Sequence, residues 1–205
     1  MAERALIYIP SREIVNFITA HPINWLDNMK DLAKRGGVGD SAGVTPTPAI
    51  EEFLNLVVSL RGLPTQRQYM EHCWQAWESW IRRLRQEQKL GVKAKLYRNF
   101  YPSAIDSIHV WAMLCETGEF DMCLLSATED AIGKSDLVLK RGDKELRIAL
   151  QVGTKQANDD RSYKKEHRRN DEAGCKEVWL SLDAPKDPGN KRWFAKGDVM
   201  KAMAA

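Results

Sequence analysis

Residues 133–155 read GKSDLVLKRGDKELRIALQVGTK, and the way this stretch pairs decides the fold. Leu137 and Leu139 alternate with Asp136, Val138 and Lys140. After Arg141-Gly142-Asp143-Lys144, Ile148, Leu150 and Val152 alternate with Arg147, Ala149, Gln151 and Gly153. Two runs of period two around a Gly-Asp turn predict an antiparallel hairpin, 136–140 against 145–152. The face carrying Ile148, Leu150 and Val152 is apolar and is expected to meet a core. Gln151 is then turned toward a polar cleft, which Asp136 can reach from the start of its own strand.

Working outward, a further strand is expected over Phe120–Thr128 and another over Glu177–Leu182. A helix is expected from Ser103, as cap, to about Thr117, with Ile105, Ile108, Ala112 and Cys115 on one side and Gly118 ending it. A polar, basic helix fits 159–173, stopped by Gly174, and a short helix fits 197–204. The order over this half is helix, three strands, helix, strand, an α/β (α+β) arrangement.

The first ninety residues read instead as helices: Ser11–Ala20, Pro22–Lys34, Ala49–Leu60, and a long one capped by Thr65. Residues 36–48 are a Gly/Ser/Thr/Pro loop. We therefore expect a helical region over 1–90, used for recognition or dimerisation, and a core over 91–205. In the long helix Trp74, Trp77, Ile81 and Leu84 fall at helical spacing. Three tryptophans in seven residues suggest base stacking, but that spacing is first of all a core stripe.

The totals exclude several classes. At 43% hydrophobic and 29% charged the composition is globular, not disordered. No stretch approaches the ~20 apolar residues that cross a bilayer, and MAERALIYIPSRE carries charges where a signal peptide is apolar. The four cysteines lack C-x-x-C spacing, so a structural zinc is not expected. Reduced core thiols suit a cytoplasmic protein. The net charge of +3 is small, but it is unevenly spread. Arg161–Arg169 holds five Arg or Lys against one Glu, and Lys93, Lys95 and Arg98 form a second basic run. Such clusters contact phosphates, or simply keep a helix solvated.

Phosphodiester hydrolysis needs a hard cation held by oxygen ligands and a positive group near the developing charge. The stretch GKSDLVL followed by the strand ending QVGTK, in the order helix–three strands–helix–strand over 98–182, resembles the restriction-endonuclease-like fold of the PD-(D/E)XK nuclease superfamily. The resemblance implies magnesium- or manganese-dependent cleavage of DNA, less often RNA. It sets Asp136 at the motif aspartate, Gln151 at the second ligand, and Glu116, near the end of helix 103–117, at the acid many members add from that helix. All three would bind metal. The motif lysine falls on Gly153, and Lys155 is the nearest amine, so the resemblance gives Lys155 the catalytic role. Arg98, His109, Lys164, Lys165, Arg168 and Arg169 are the expected nucleic-acid contacts.

Other readings stand beside this one. Each site residue taken singly has a structural explanation: Asp136 favours a turn, Gln151 suits a half-buried strand, and Glu116 and His109 suit a helix. The chain would then be a nuclease-like nucleic-acid-binding or assembly subunit without catalysis, as a homodimer or within a larger complex, or an interaction protein docking through its tryptophan-rich helix. Two motifs fail. Gly133-Lys134-Ser135 has Thr128 where a phosphate loop needs glycine, and Gly36-Gly37-Val38-Gly39 lacks the strand–helix context of a dinucleotide site.

Overall fold

The hairpin forms as expected. In a computed structural model of the chain, β2 (Leu137–Arg141) and β3 (Lys144–Gly153) pair antiparallel with Leu137 opposite Ile148 and Lys140 opposite Glu145. The structure describes residues 8–21, 46–125, 136–153, 175–181 and 196–204. Gly142 opens the turn with φ 57°, a conformation that costs glycine little. Its N–H donates to Asp121 Oδ2 at 2.6 Å, and so ties the turn to the segment before β1 (Met122–Leu125). That strand pairs antiparallel with β2, Leu125 opposite Leu137. On the other side β4 (Cys175–Ser181) runs parallel to β3, with Leu150 opposite Val178. The strand order is β1-β2-β3-β4.

Three successive residues of β2, Leu137, Val138 and Leu139, are buried. Alternate side chains point to opposite faces, so both faces of β2 are covered.

Two compact units account for the described residues. The helical unit holds 21 and 46–105; the sheet unit holds 8–20 and those from 106 onward. The division expected near residue 90 thus lies further along the chain, within one helix. Helix α1 (Ser11–Ala20) falls with the strands, not with the other N-terminal helices. The reason is a contact that sequence spacing does not reveal, between Ser11 and Glu116, described below.

In the helical unit, α2 (Ala49–Leu60) buries Phe53 and Val57. Then α3 (Gln66–Ala76) begins on a capping box: Gln68 N–H donates to Thr65 Oγ1, and the Thr65 N–H donates to Gln68 Oε1. Phe53, Tyr69 and Tyr101 pack together with centroids 5.7 to 6.1 Å apart. Their two hydroxyls donate to the carbonyls of Ala49 and Pro64, so burying these phenols leaves no polar atom unpaid. Replacing Thr65 by Ala is expected to cost about 1 kcal/mol, read as a lowered denaturant midpoint with an unchanged slope.

The long helix after Thr65 is in fact three. Helix α3 stops at Ala76, α4 is Glu78–Arg82, and α5 is Gln86–Lys95. The first break is at Trp77 (φ −100°, ψ 14°), whose indole N–H donates to Thr47 Oγ1 at 2.8 Å. Trp77 is 1% exposed. A π-helical turn, Leu96–Phe100, leads from α5 into α6 (Tyr101–Cys115). Pro102 explains it: a proline gives no N–H to the carbonyl four residues back and crowds it, and one wide turn accommodates both effects. The chain therefore enters α6 already helical, and the start expected at Ser103 moves back to Tyr101. Gly118 follows the helix at φ 68°, as expected.

In the sheet unit, α7 (Lys196–Ala204) packs on β4 with Val199 and Met203 buried. Among the described residues, no helix is long and apolar enough to cross a membrane. The expected helices 22–34 and 159–173 lie outside the described residues.

Candidate functional site

Pairing register sets the backbones of Asp136 and Gln151 on adjacent strands near one end of the hairpin. One step beyond the Leu137–Ile148 pair, Asp136 comes level with Ala149. Residues opposite one another share a face, and a strand alternates its faces. Asp136, Val138, Arg147, Ala149 and Gln151 therefore share one face. Leu137, Leu139, Leu146, Ile148 and Leu150 share the other, where Leu137, Leu139 and Ile148 are nearly inaccessible. Asp136 Oδ2 also accepts the Leu150 N–H, which fixes the carboxylate against β3 one residue short of Gln151. Gln151 itself is placed by its backbone.

On β4 a further acid lies level with this region by backbone register. Glu177 was not among the expected residues, yet its backbone is opposite Ala149 in the parallel pair, and Trp179 is opposite Gln151. One row across the sheet thus runs Asp136, Ala149, Glu177. The alternation in EVWLSL separates Glu177 from the buried Val178 and Leu180, but only the pairing partner says which face it joins.

Glu116 is engaged elsewhere. It follows α6, and its Oε1 accepts the Ser11 N–H at 2.7 Å and the Tyr8 hydroxyl at 3.0 Å. Its Oε2 accepts the Ser11 hydroxyl at 2.6 Å. The first N–H groups of a helix lack partners within it and carry partial positive charge, and the Glu116 carboxylate satisfies this end of α1. Ser11 is the first residue of α1, and the cap comes from Glu116. Burial and the Glu116 contact push the Tyr8 hydroxyl up to about 12. Glu116→Gln is expected to lower stability by about 1 kcal/mol, read by urea denaturation at neutral pH and low salt. An unchanged midpoint would remove the capping role.

His109 is 2% exposed in the middle of α6, and burial pushes it down to about 4. An enclosed, neutral imidazole is a packing residue and is not on a surface where phosphate could meet it. This corrects the expected nucleic-acid contact: His109 falls on a stretch of α6, Ala104–Leu114, that is buried on all sides. Arg98 has its backbone in the π turn, and its side chain lies outside the described part. Lys155, Lys164, Lys165, Arg168 and Arg169 lie outside the described residues.

Among the described residues, Cys73, Cys115 and Cys123 are free thiols. Burial pushes Cys73 up to about 12, and a hydrogen bond between the half-buried Cys115 and Cys123 lowers the first and raises the second.

A hard cation takes oxygen donors. The carboxylate of Asp136 and the amide of Gln151 are of that kind, so the donor set fits magnesium in chemistry, with one formal charge between the two. Among the described residues, no group of three or more His, Cys, Asp or Glu is gathered closely enough to hold a metal ion. No family model, curated protein or solved structure matches the chain.

Proposed function

We propose that the chain is a magnesium-dependent endonuclease hydrolysing phosphodiester bonds of DNA, built on a restriction-endonuclease-like core. The observation that carries the reading is the shared face and shared strand end of Asp136 and Gln151. The order of elements supports it: a helix, three antiparallel strands, then a strand parallel to the third. A parallel partner requires a crossover of a dozen or more residues, usually through a helix, and residues 154–174 supply that length.

In this reading Asp136 and Gln151 hold the ion. When bound, it supplies Lewis acidity at the phosphate and favours ionised water at neutral pH. The Leu150 N–H holds the Asp136 carboxylate in place, so the ligand is oriented before substrate arrives. Lys155 steadies the charge that develops on the phosphate, and the basic run 161–169 binds the backbone on either side. Glu116 adds to the ligand set only by exchanging its bonds to Ser11 and Tyr8 for the ion.

A second reading is favoured by that commitment of Glu116 and by Gly153 at the lysine position: a nuclease-like binding or assembly subunit without catalysis. Incubating the purified chain with supercoiled plasmid and with single-stranded DNA, in magnesium and in manganese, separates the two. Metal-dependent nicking supports the nuclease. Salt-sensitive binding without nicking in either metal supports the binding subunit.

A further inference from the structure

The run Trp74, Trp77 and Trp80 is split by the fold. Trp77 is buried in the helical core, and Trp80 stands edge-on to it at 6.3 Å. Trp74 is half-buried and lines an open recess of about 440 Å³ between α3 and the segment from α5 into the π turn, with Met70 and Tyr97 as its other large walls. That volume is in the range of small-molecule sites, and the recess lies wholly within the helical unit.

Its net charge is positive. Lys93 Nζ stands 4.8 Å from the centre of the Trp74 ring. The one acid in the wall, Glu71, is paired with Arg67 at 2.8 Å, which leaves Lys93 to make the recess net positive. The π turn also bears on the recess. Tyr97, within that turn, lines the recess, and Gln66 Nε2 donates to the Tyr97 carbonyl at 3.0 Å. Two aromatic rings, an ammonium group and an exposed arginine thus converge on one opening.

We propose that this recess binds an unpaired nucleotide of a single-stranded nucleic acid, its base stacked on Trp74 beside Tyr97 and its phosphate met by Lys93. Every base has a π-face that an indole can stack on, and the adjoining phosphate needs a cation within reach of that ring. Lys93 meets the need, because its flexible stem lets the ammonium turn from the ring to a phosphate. A duplex keeps its bases stacked on one another and offers none to the recess. The inference rests on the nucleic-acid part of the proposed function and is independent of Asp136.

The test is fluorescence anisotropy of a labelled oligothymidylate with the full chain in EDTA, so that no cleavage intervenes. Stacking is worth about 1–3 kcal/mol per base, so Trp74→Ala should weaken binding roughly 5- to 150-fold, and Trp74→Phe should restore most of it. Lys93→Gln should lower the slope of log K against log salt by about 0.7. A duplex should bind the Trp74→Ala and parent chains alike. The inference is overturned if the oligothymidylate does not bind, if Trp74→Ala binds within twofold of the parent, or if Phe fails to rescue a folded protein. It is also overturned if the duplex loses as much as the single strand, or if thymidine monophosphate competes as strongly as the oligonucleotide. Should Trp74→Ala fail to fold, the Lys93→Gln slope and the Trp74→Phe affinity carry the same decision. Binding that follows these expectations without nicking in magnesium would end only the nuclease reading. Nicking with no effect of Trp74 would end only this one.

Discussion

Asp136→Asn is expected to reduce metal-dependent nicking of plasmid by at least about a hundredfold, the scale on which losing one electrostatic partner of a transition state is felt. Asparagine is the informative replacement because of the hairpin. Asp136 Oδ2 accepts the Leu150 N–H, and an asparagine carbonyl oxygen can accept the same bond, so β2 and β3 stay aligned while the charge is lost. Alanine would break that bond as well. An unpaired N–H in a part-buried strand costs about 1–3 kcal/mol, and lost activity could then be lost structure. The measurement is nicking rate against magnesium concentration for the parent and Asp136→Asn, with denaturation midpoints alongside. Equal rates at saturating metal would remove Asp136 from the chemistry. A rate restored only by much higher metal would make it a ligand whose charge sets affinity.

The hairpin was legible because its signals are local: period two on both sides of Gly142, and a turn of the right composition. Helices Ser11–Ala20 and Ala49–Leu60 were legible for the same reason, each having one apolar face. The break at Trp77 was not, since the sequence there has neither glycine nor proline. The chain bends where a buried indole reaches Thr47, thirty residues away. Pro102 did announce a disturbance, but a new helix and a π turn are both physical answers to a missing N–H, and only packing chooses between them. The site divides along the same line. Strand register, which the hairpin fixes, sets Asp136 and Gln151 on one face. Glu116 meets Ser11 over a separation of 105 residues, and no spacing rule spans that. Glu177 was missed because its face depends on pairing with β3, and a lone strand does not say which partner it will take.

Stability is expected to fall by about 3 kcal/mol through His109 alone as pH drops from 6.5 to about 4. Burial makes the imidazole hard to charge in the folded chain, while Glu116 pulls weakly the other way. The unfolded chain takes up a proton near 6.5; the folded chain holds out until about 4. Between those values the unfolded state binds more protons, so stability rises with pH across the window and is fully present above it. Carboxylates also titrate there, so the acid limb of one protein would not identify the residue. His109→Gln removes the imidazole and leaves the carboxylates. Urea denaturation of both chains at intervals from pH 7 to pH 4 should show the parent losing about 3 kcal/mol more than the variant over the window. Parallel curves would mean that His109 is accessible to protons in the folded state. An imidazole open to protons would be open to phosphate as well, and the surface role that its burial denies would return.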